Sequence, residues 1–396
     1  AQPQEFVAEL VANLNERGGG QWAVGDCIKG VEHLIAFSHN SVREALQMVA
    51  EAWKTEWSVG IHYSNTGFPT YLLNLKKIEY NKGTTNGVAD APALSYGKGK
   101  GFLSGVKRDN DSNSQEIFRM YVQGGERNID RSKYISPYLL LPANAKWKHE
   151  DRTYEVSTDR YYIYNVSKGD KGYEATFDCP DVYPSRVGVV SGVEQDKEFY
   201  NIVDKDIALT LNYEKCKMTG EKMSVIFQSG MLAGREFDVS KYEQIRDAQH
   251  QYIGGRFLLC QQDSDGVTMP SGAFVPSVGD KYVVFGVKMP DEYICKDGPH
   301  MVGTKAMNGI GAEWELFKEA CRNMYENEYQ KYTFSGELDS IYLRDKWFNL
   351  GSKIVVGGYI LFSAPFTKRG GELIRITGVK RYINETYKIE LTLSNG

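Results

Sequence analysis

Residues 223–239, MSVIFQSGMLAGREFDV, constrain the fold more than any other stretch. Met223, Val225 and Phe227 alternate with Ser224 and Gln228, the period of a strand with one buried face, and a glycine-punctuated turn then leads to a second short strand around Phe237 and Val239. Forty residues on, residues 274–290, FVPSVGDKYVVFGVKMP, answer it: Gly279-Asp280 is a turn signal feeding a strand over 282–287. A chain with such a hairpin at its centre must find partners for its strand edges, so a β-rich architecture is expected.

The 396 residues exceed one ordinary core and predict several domains. With 41% hydrophobic and 25% charged residues the chain can bury sizeable cores, and nothing in it resembles a membrane-spanning run or a signal peptide. The first residue is Ala1 rather than Met, as expected of a processed product or a piece of a longer chain. A net charge of −4 lacks the basic excess of a tight nucleic-acid binder. The cysteines, Cys27, Cys179, Cys216, Cys260, Cys295 and Cys321, stand singly without C-x-x-C, which reads as reduced thiols in a protein made in a cytoplasm. The 26 tyrosines suit broad protein interfaces and sheet packing alike.

Four contiguous units are expected. Residues 1–82 form an α+β unit: an apolar stripe of Phe6, Val7, Leu10, Val11 and Leu14 marks a helix over 3–16, stopped by Gly18-Gly19-Gly20, and a capping box of Ser41 and Glu44 opens a second helix running to Trp57. Strands follow near His62 and over 71–80. Residues 83–190 form a β-rich unit with strands over 116–122, 138–141, 160–164, 173–177 and 186–190. Residues 191–295 form a β-barrel containing the central hairpin. Residues 296–396 form a second α+β unit, in which Trp314, Phe317, Cys321 and Met324 mark a helix with Glu313, Glu315, Lys318, Glu319 and Arg322 on its wet face. The fold class is thus mainly β with α+β parts, multidomain.

Catalytic signals are absent from the pattern. His33, His39, His62, His149, His250 and His300 include no H-E-x-x-H, and no nucleophile elbow or protease-type cysteine occurs. The run Gly97-Lys98-Gly99-Lys100-Gly101 lacks the remaining features of a phosphate loop and reads as a β–β connection. Asp109, Asp111 and Asn113 open like a calcium loop, but Ser114 and Met120 stand where glycine and a bidentate glutamate are needed. Asp204 with Asp206, and Glu337 with Asp339, are carboxylate pairs that charged residues at turns explain without catalysis. Gly230 and Gly234 with Arg235 read as a turn rather than an anion clamp. No catalytic, cofactor-binding or metal residue is assigned, and no cofactor is expected.

Four stretches carry a resemblance: residues 121–130 (YVQGGERNID), 183–188 (YPSRVG), 227–237 (FQSGMLAGREF) and 278–282 (VGDKY). They resemble phage and prophage tail proteins of Bacteroides-type bacteria, similar to the baseplate hub or tail-associated protein at the tail tip. The resemblance implies small hub-type β-barrels with peripheral α+β domains and a homotrimeric ring below the tail tube through which DNA passes. Its partners would be further copies of itself, the tail tube or distal tail protein, the tape measure and tip or fibre proteins. It further implies a place in the virion tail after synthesis in the bacterial host, no membrane insertion and no catalysis. Such hubs usually begin with barrel strands, which do not precede the first helix here, and longer relatives carry a hydrolase or receptor-binding part after the hub, for which this chain shows no added domain. A tail-borne cell-wall or capsule hydrolase, and a receptor- or glycan-binding tail module, are the alternative readings.

Overall fold

The computed structural model describes residues 2–18, 20–30, 33, 35, 37, 40–63, 68–85, 88–97, 99–103, 107–110, 115–169, 172–196, 199–207, 211–264, 266–296, 309–329, 331–363 and 371–395. The chain is mainly β, with several sheets and a half-barrel.

In the first unit, helices α1 (Pro3–Gly18) and α2 (Val42–Ala52) pack over a three-stranded sheet in which Pro69–Leu75 lies between Trp22–Cys27 and Trp57–Tyr63. The capping box is formed as the sequence predicts: the Glu44 amide donates to the Ser41 side chain while Glu44 accepts from the Ser41 amide. The helix ends at Trp53 rather than Trp57, because Trp57 begins the next strand. Val7, Val49, Trp53, Leu73 and Leu75 make the core of this unit.

The second unit is a five-stranded sheet in the order Lys146–His149, Arg152–Val156, Tyr162–Asn165, Ile117–Gly124 and Tyr173–Cys179. Its covering helices come from far along the chain: the single turn α3 (Asp291–Ile294) and the longer α4 (Ala312–Asn327), whose Trp314, Phe317, Cys321 and Met324 share a core with Met120, Tyr154 and Ile163. Residues 138–141 form no strand, contrary to the expectation, although Leu139, Leu140 and Leu141 are buried. Pro137 and Pro142 flank this run and stop a ladder from extending on either side, and its backbone bonds are scattered: the Leu139 carbonyl accepts from the Gly124 amide, the Leu139 amide donates to the Gly125 carbonyl and the Leu141 amide to the Arg160 carbonyl.

The third unit contains the central hairpin. Its seven-stranded sheet runs Gly188–Val189, Lys281–Phe285, Ser224–Phe227, Glu236–Arg246, Tyr252–Leu259, Phe199–Asp204 and Gly192–Asp196. The two stretches that most constrain the sequence lie side by side: Val225 is opposite Phe237 on one flank and Val284 on the other. The first and last strands in the order are neighbours in sequence, so the sheet curls and its edges are drawn together, with Val190 and Ser191 bonding to Asp280 and Val203. Phe227, Phe237, Phe257 and Tyr282 fill the interior.

The last unit is another seven-stranded sheet: Gly101–Phe102, Ala93–Tyr96, Tyr359–Ser363, Glu372–Tyr382, Glu385–Ser394, Tyr332–Glu337 and Lys107–Asn110. Helix α5 (Ser340–Leu350) packs on it, buries Leu343 and Leu350 and is capped by Asp339. This sheet also takes both edges from one stretch of chain, residues 101–110.

The sheets and cores therefore do not follow contiguous boundaries at 82, 190 and 295. Residues 93–110 pair into the C-terminal sheet, and α4 belongs to the core of residues 117–182. The reason is edge pairing and helix burial: Ala93–Tyr96 and Lys107–Asn110 gain ladder bonds from the C-terminal strands, Gly101–Phe102 adds to the first of them, and the apolar stripe of α4 faces the five-stranded sheet.

Candidate functional site

The four stretches of resemblance meet at one seam between the second and third units. Residues 121–130 leave the sheet at Gly124-Gly125, where a Cβ on Gly125 would lie 2.5 Å from the Pro180 carbonyl, so only glycine lets the two backbones approach. Arg127 then lies over the Phe285 ring, 4.1 Å from its centroid, and its Nη1 donates to Glu236 Oε2 at 3.1 Å. Asn128 adopts a left-handed backbone with φ of 62° and is buried. Its side-chain amide donates to the carbonyls of Pro184 (3.0 Å) and Val284 (2.8 Å). Tyr183 packs edge-on against Phe285. One asparagine thus stitches three of the four stretches, or their immediate neighbours, together.

The central turn is fixed within the curled sheet. Gly230 sits at φ of +80°, and a Cβ there would lie 2.2 Å from Asp280 Oδ1. The Gln228 amide donates to the Lys281 carbonyl, and the Lys281 amide to Ser229 Oγ. Burial raises the Asp280 carboxyl, although it accepts from the Ser277 amide. Gly230 and Gly234 serve turn geometry, both with positive φ.

Behind the seam lies a buried ion pair. Asp204, fully buried, accepts from Arg186 Nη1 and from the Tyr282 hydroxyl, each at 2.7 Å. Burial works against the charged guanidinium, but the Asp204 carboxylate outweighs it and raises Arg186 above its ordinary value. Burial first, and then the neighbouring carboxylate, raises the Tyr282 phenol, so it stays a donor. The group ties the curled sheet together where its first strand, its Phe199–Asp204 strand and its Lys281–Phe285 strand converge. Asp206 contributes no second carboxylate: its backbone amide donates to Asp204 Oδ1.

In front of the seam opens a cleft of about 970 Å³, bounded by the first three units. Trp147, Tyr183 and Tyr293 line it, with Gln228, Lys29 and Glu315. Among the described residues its charges balance: four carboxylates and four lysine or arginine side chains line it. His33 and His149 also line it, a meeting of residues 116 apart that no sequence spacing announces. His33 Nδ1 lies 3.4 Å from Asp181 Oδ2, and burial lowers His149 toward the neutral form. His62 and His250 are exposed elsewhere, while His39, His300, Lys98, Asp111, Asn113 and Ser114 lie outside the described residues.

The remaining candidates of the sequence are also placed. Asp339 is the N-cap of α5, accepting from the Ile341 and Tyr342 amides, and its second oxygen accepts from the Gly99 amide at 3.2 Å. The glycine-rich connection therefore meets an anion, but one that belongs to the chain. Glu337 lies in a strand paired with Glu385–Ser394. Among the described residues no cluster of three or more histidine, cysteine, aspartate or glutamate side chains could hold a metal ion, and no helix is long and apolar enough to cross a membrane. None of the six cysteines is in a disulfide.

No known protein family, no curated protein and no solved structure matches the chain.

Proposed function

We propose that the chain is a structural component of a phage or prophage tail tip, hub-like, acting by assembly rather than by catalysis. In this reading it associates with itself as a homotrimeric ring below the tail tube. It contacts the tube or distal tail protein, the tape measure and tip or fibre proteins, and lets DNA pass in transit.

One observation carries the proposal. The residues of resemblance are spent on holding the chain in place: Arg127 and Asn128 tie the segment leaving the five-stranded sheet to the curled one, while Gly125, Gly230 and Asp280 fix the turns on either side. A part that transmits force along a tail needs such a rigid seam. Curled sheets with edges drawn together also suit a ring component, since free edges invite uncontrolled pairing. A net charge of −4 suits passage of DNA, which a strongly basic lining would retain.

The test is the mass of the purified chain in solution together with imaging of assembled tails. A trimer, and a ring at the tail tip labelled by an antibody to this chain, are expected. A monomer at all concentrations together with tails that lack the chain would overturn the proposal.

A further inference from the structure

We propose that the cleft between the first three units is a binding site for a short neutral oligosaccharide. The inference stands apart from the tail-tip reading, because it rests on the lining of the cleft and not on the resemblance.

Size and position come first. At about 970 Å³ the cleft lies at the upper end of the range of small-ligand sites, and it occupies a junction of units, where such sites concentrate. Its lining then selects the ligand. Trp147 from the five-stranded sheet, Tyr183 from the seam and Tyr293 from α3 present aromatic surface from three separate segments, and the C–H face of a pyranose ring packs on such surface. Lys318 lies 5.1 Å from the Trp147 ring centroid, which holds the indole by a cation–π contact.

The polar lining discriminates further. Among the described residues, four carboxylates against four cations give no excess of either sign to gather a polyanion or a polycation, so nucleic acid, acidic capsule and basic peptide are disfavoured together. His149 adds no charge near neutrality, since burial lowers its pKa. The same side chains offer interleaved donors and acceptors, which hydroxyl groups, being both, can satisfy. Gln228 Oε1 sharpens the point: it is a buried acceptor with no hydrogen-bond partner in the protein, on a residue that lines the cleft. A ligand hydroxyl would supply the missing donor.

The experiment uses the full chain, titrated calorimetrically and by tryptophan fluorescence with neutral tetrasaccharides built from glucose, mannose, xylose and N-acetylglucosamine. Tetragalacturonate and a neutral tetrapeptide serve as comparators. Saturable binding of at least one neutral tetrasaccharide with Kd below about 1 mM is expected, the weak end of measurable specific binding. Trp147→Ala and Glu315→Ala should each weaken it about tenfold or more, and Glu315→Ala should do so with a thermal midpoint close to the parent's. Glu315 is exposed on α4, so its variant keeps the test valid if Trp147→Ala fails to fold. Absence of neutral-sugar binding up to about 10 mM, binding of the galacturonate or peptide alone, or binding that survives Glu315→Ala unchanged would each overturn the proposal. Oligomeric state is read separately, so failure here leaves the ring assembly untouched, and the reverse.

Discussion

Individual buried ions decide how firmly the units hold. Asp204 is fully buried with Arg186 and Tyr282 as its side-chain donors. Removing the cation strands the carboxylate, so Arg186→Met is expected to cost about 3–5 kcal/mol in urea unfolding. Adding Asp204→Leu should recover much of that loss, because an apolar pair needs no desolvation. A second pair joins the first unit to the C-terminal sheet: Arg375 Nη1 and Nη2 grip both oxygens of Glu56, which also accepts from the Ile78 amide. Burial on its own raises the Glu56 carboxyl, but these bonds outweigh it and hold it below its ordinary value of 4.5. A carboxyl depressed in the folded state contributes stability that is complete above 4.5 and is lost as pH falls through the lower folded value. Arg375→Gln should therefore be less stable than the parent at pH 7, with the gap narrowing as pH falls below about 4.5. Urea midpoints measured across that range check the sign.

At the level of elements, local chemistry was readable and distant company was not. The capping box of α2 is written in four consecutive positions, and Ser41→Ala is expected to cost about 1 kcal/mol. The apolar stripe of α4 was equally plain, yet its polar side was misread. Glu313 and Glu319 are buried rather than wet, Arg322 is largely so, and Glu315 alone of the five is exposed. Glu313 accepts from the Tyr134 hydroxyl and from Arg160 Nη2, each at 2.5 Å, and Arg322 pairs with Glu319 while donating to the Trp53 carbonyl of the first unit. A helical wheel shows a charge but not its partner 153 positions away. Glu313→Ala is accordingly expected to cost about 3–5 kcal/mol in thermal or urea unfolding, far beyond a solvated glutamate. Helix α5 escaped the sequence reading for a related reason. Its Ile341 and Phe348 are exposed while Leu343 and Leu350 are buried, so no single apolar stripe marks it, and Asp339 was read as an acid rather than a cap.

On the scale of the whole molecule, two cores are assembled from segments far apart and two are not. The five-stranded sheet needs Trp314, Phe317 and Met324 from α4, and the C-terminal sheet needs Leu94 and Phe102 from the other side of the chain. The first unit leans on Arg322 and Arg375 from beyond residue 320. The curled sheet closes its core within residues 190–289, and the first unit closes its own within residues 7–75. That is why the central hairpin was legible: its strands pair with sequence neighbours, whereas the cleft and the seam arise only when non-contiguous units meet. A fragment of residues 183–290 should therefore unfold cooperatively and keep near-ultraviolet circular dichroism from its packed Phe227, Phe237, Phe257 and Tyr282. Fragments 83–190 and 296–396, which divide the other two sheets from the side chains that cover them, should lack cooperative transitions and expose apolar surface to dye. Co-expressing those two pieces with the middle one should restore protection in hydrogen exchange at Ile163 and Ile376, each buried in a divided core. Cooperative folding of 83–190 alone would mean that α4 is an accessory cover rather than half of that core.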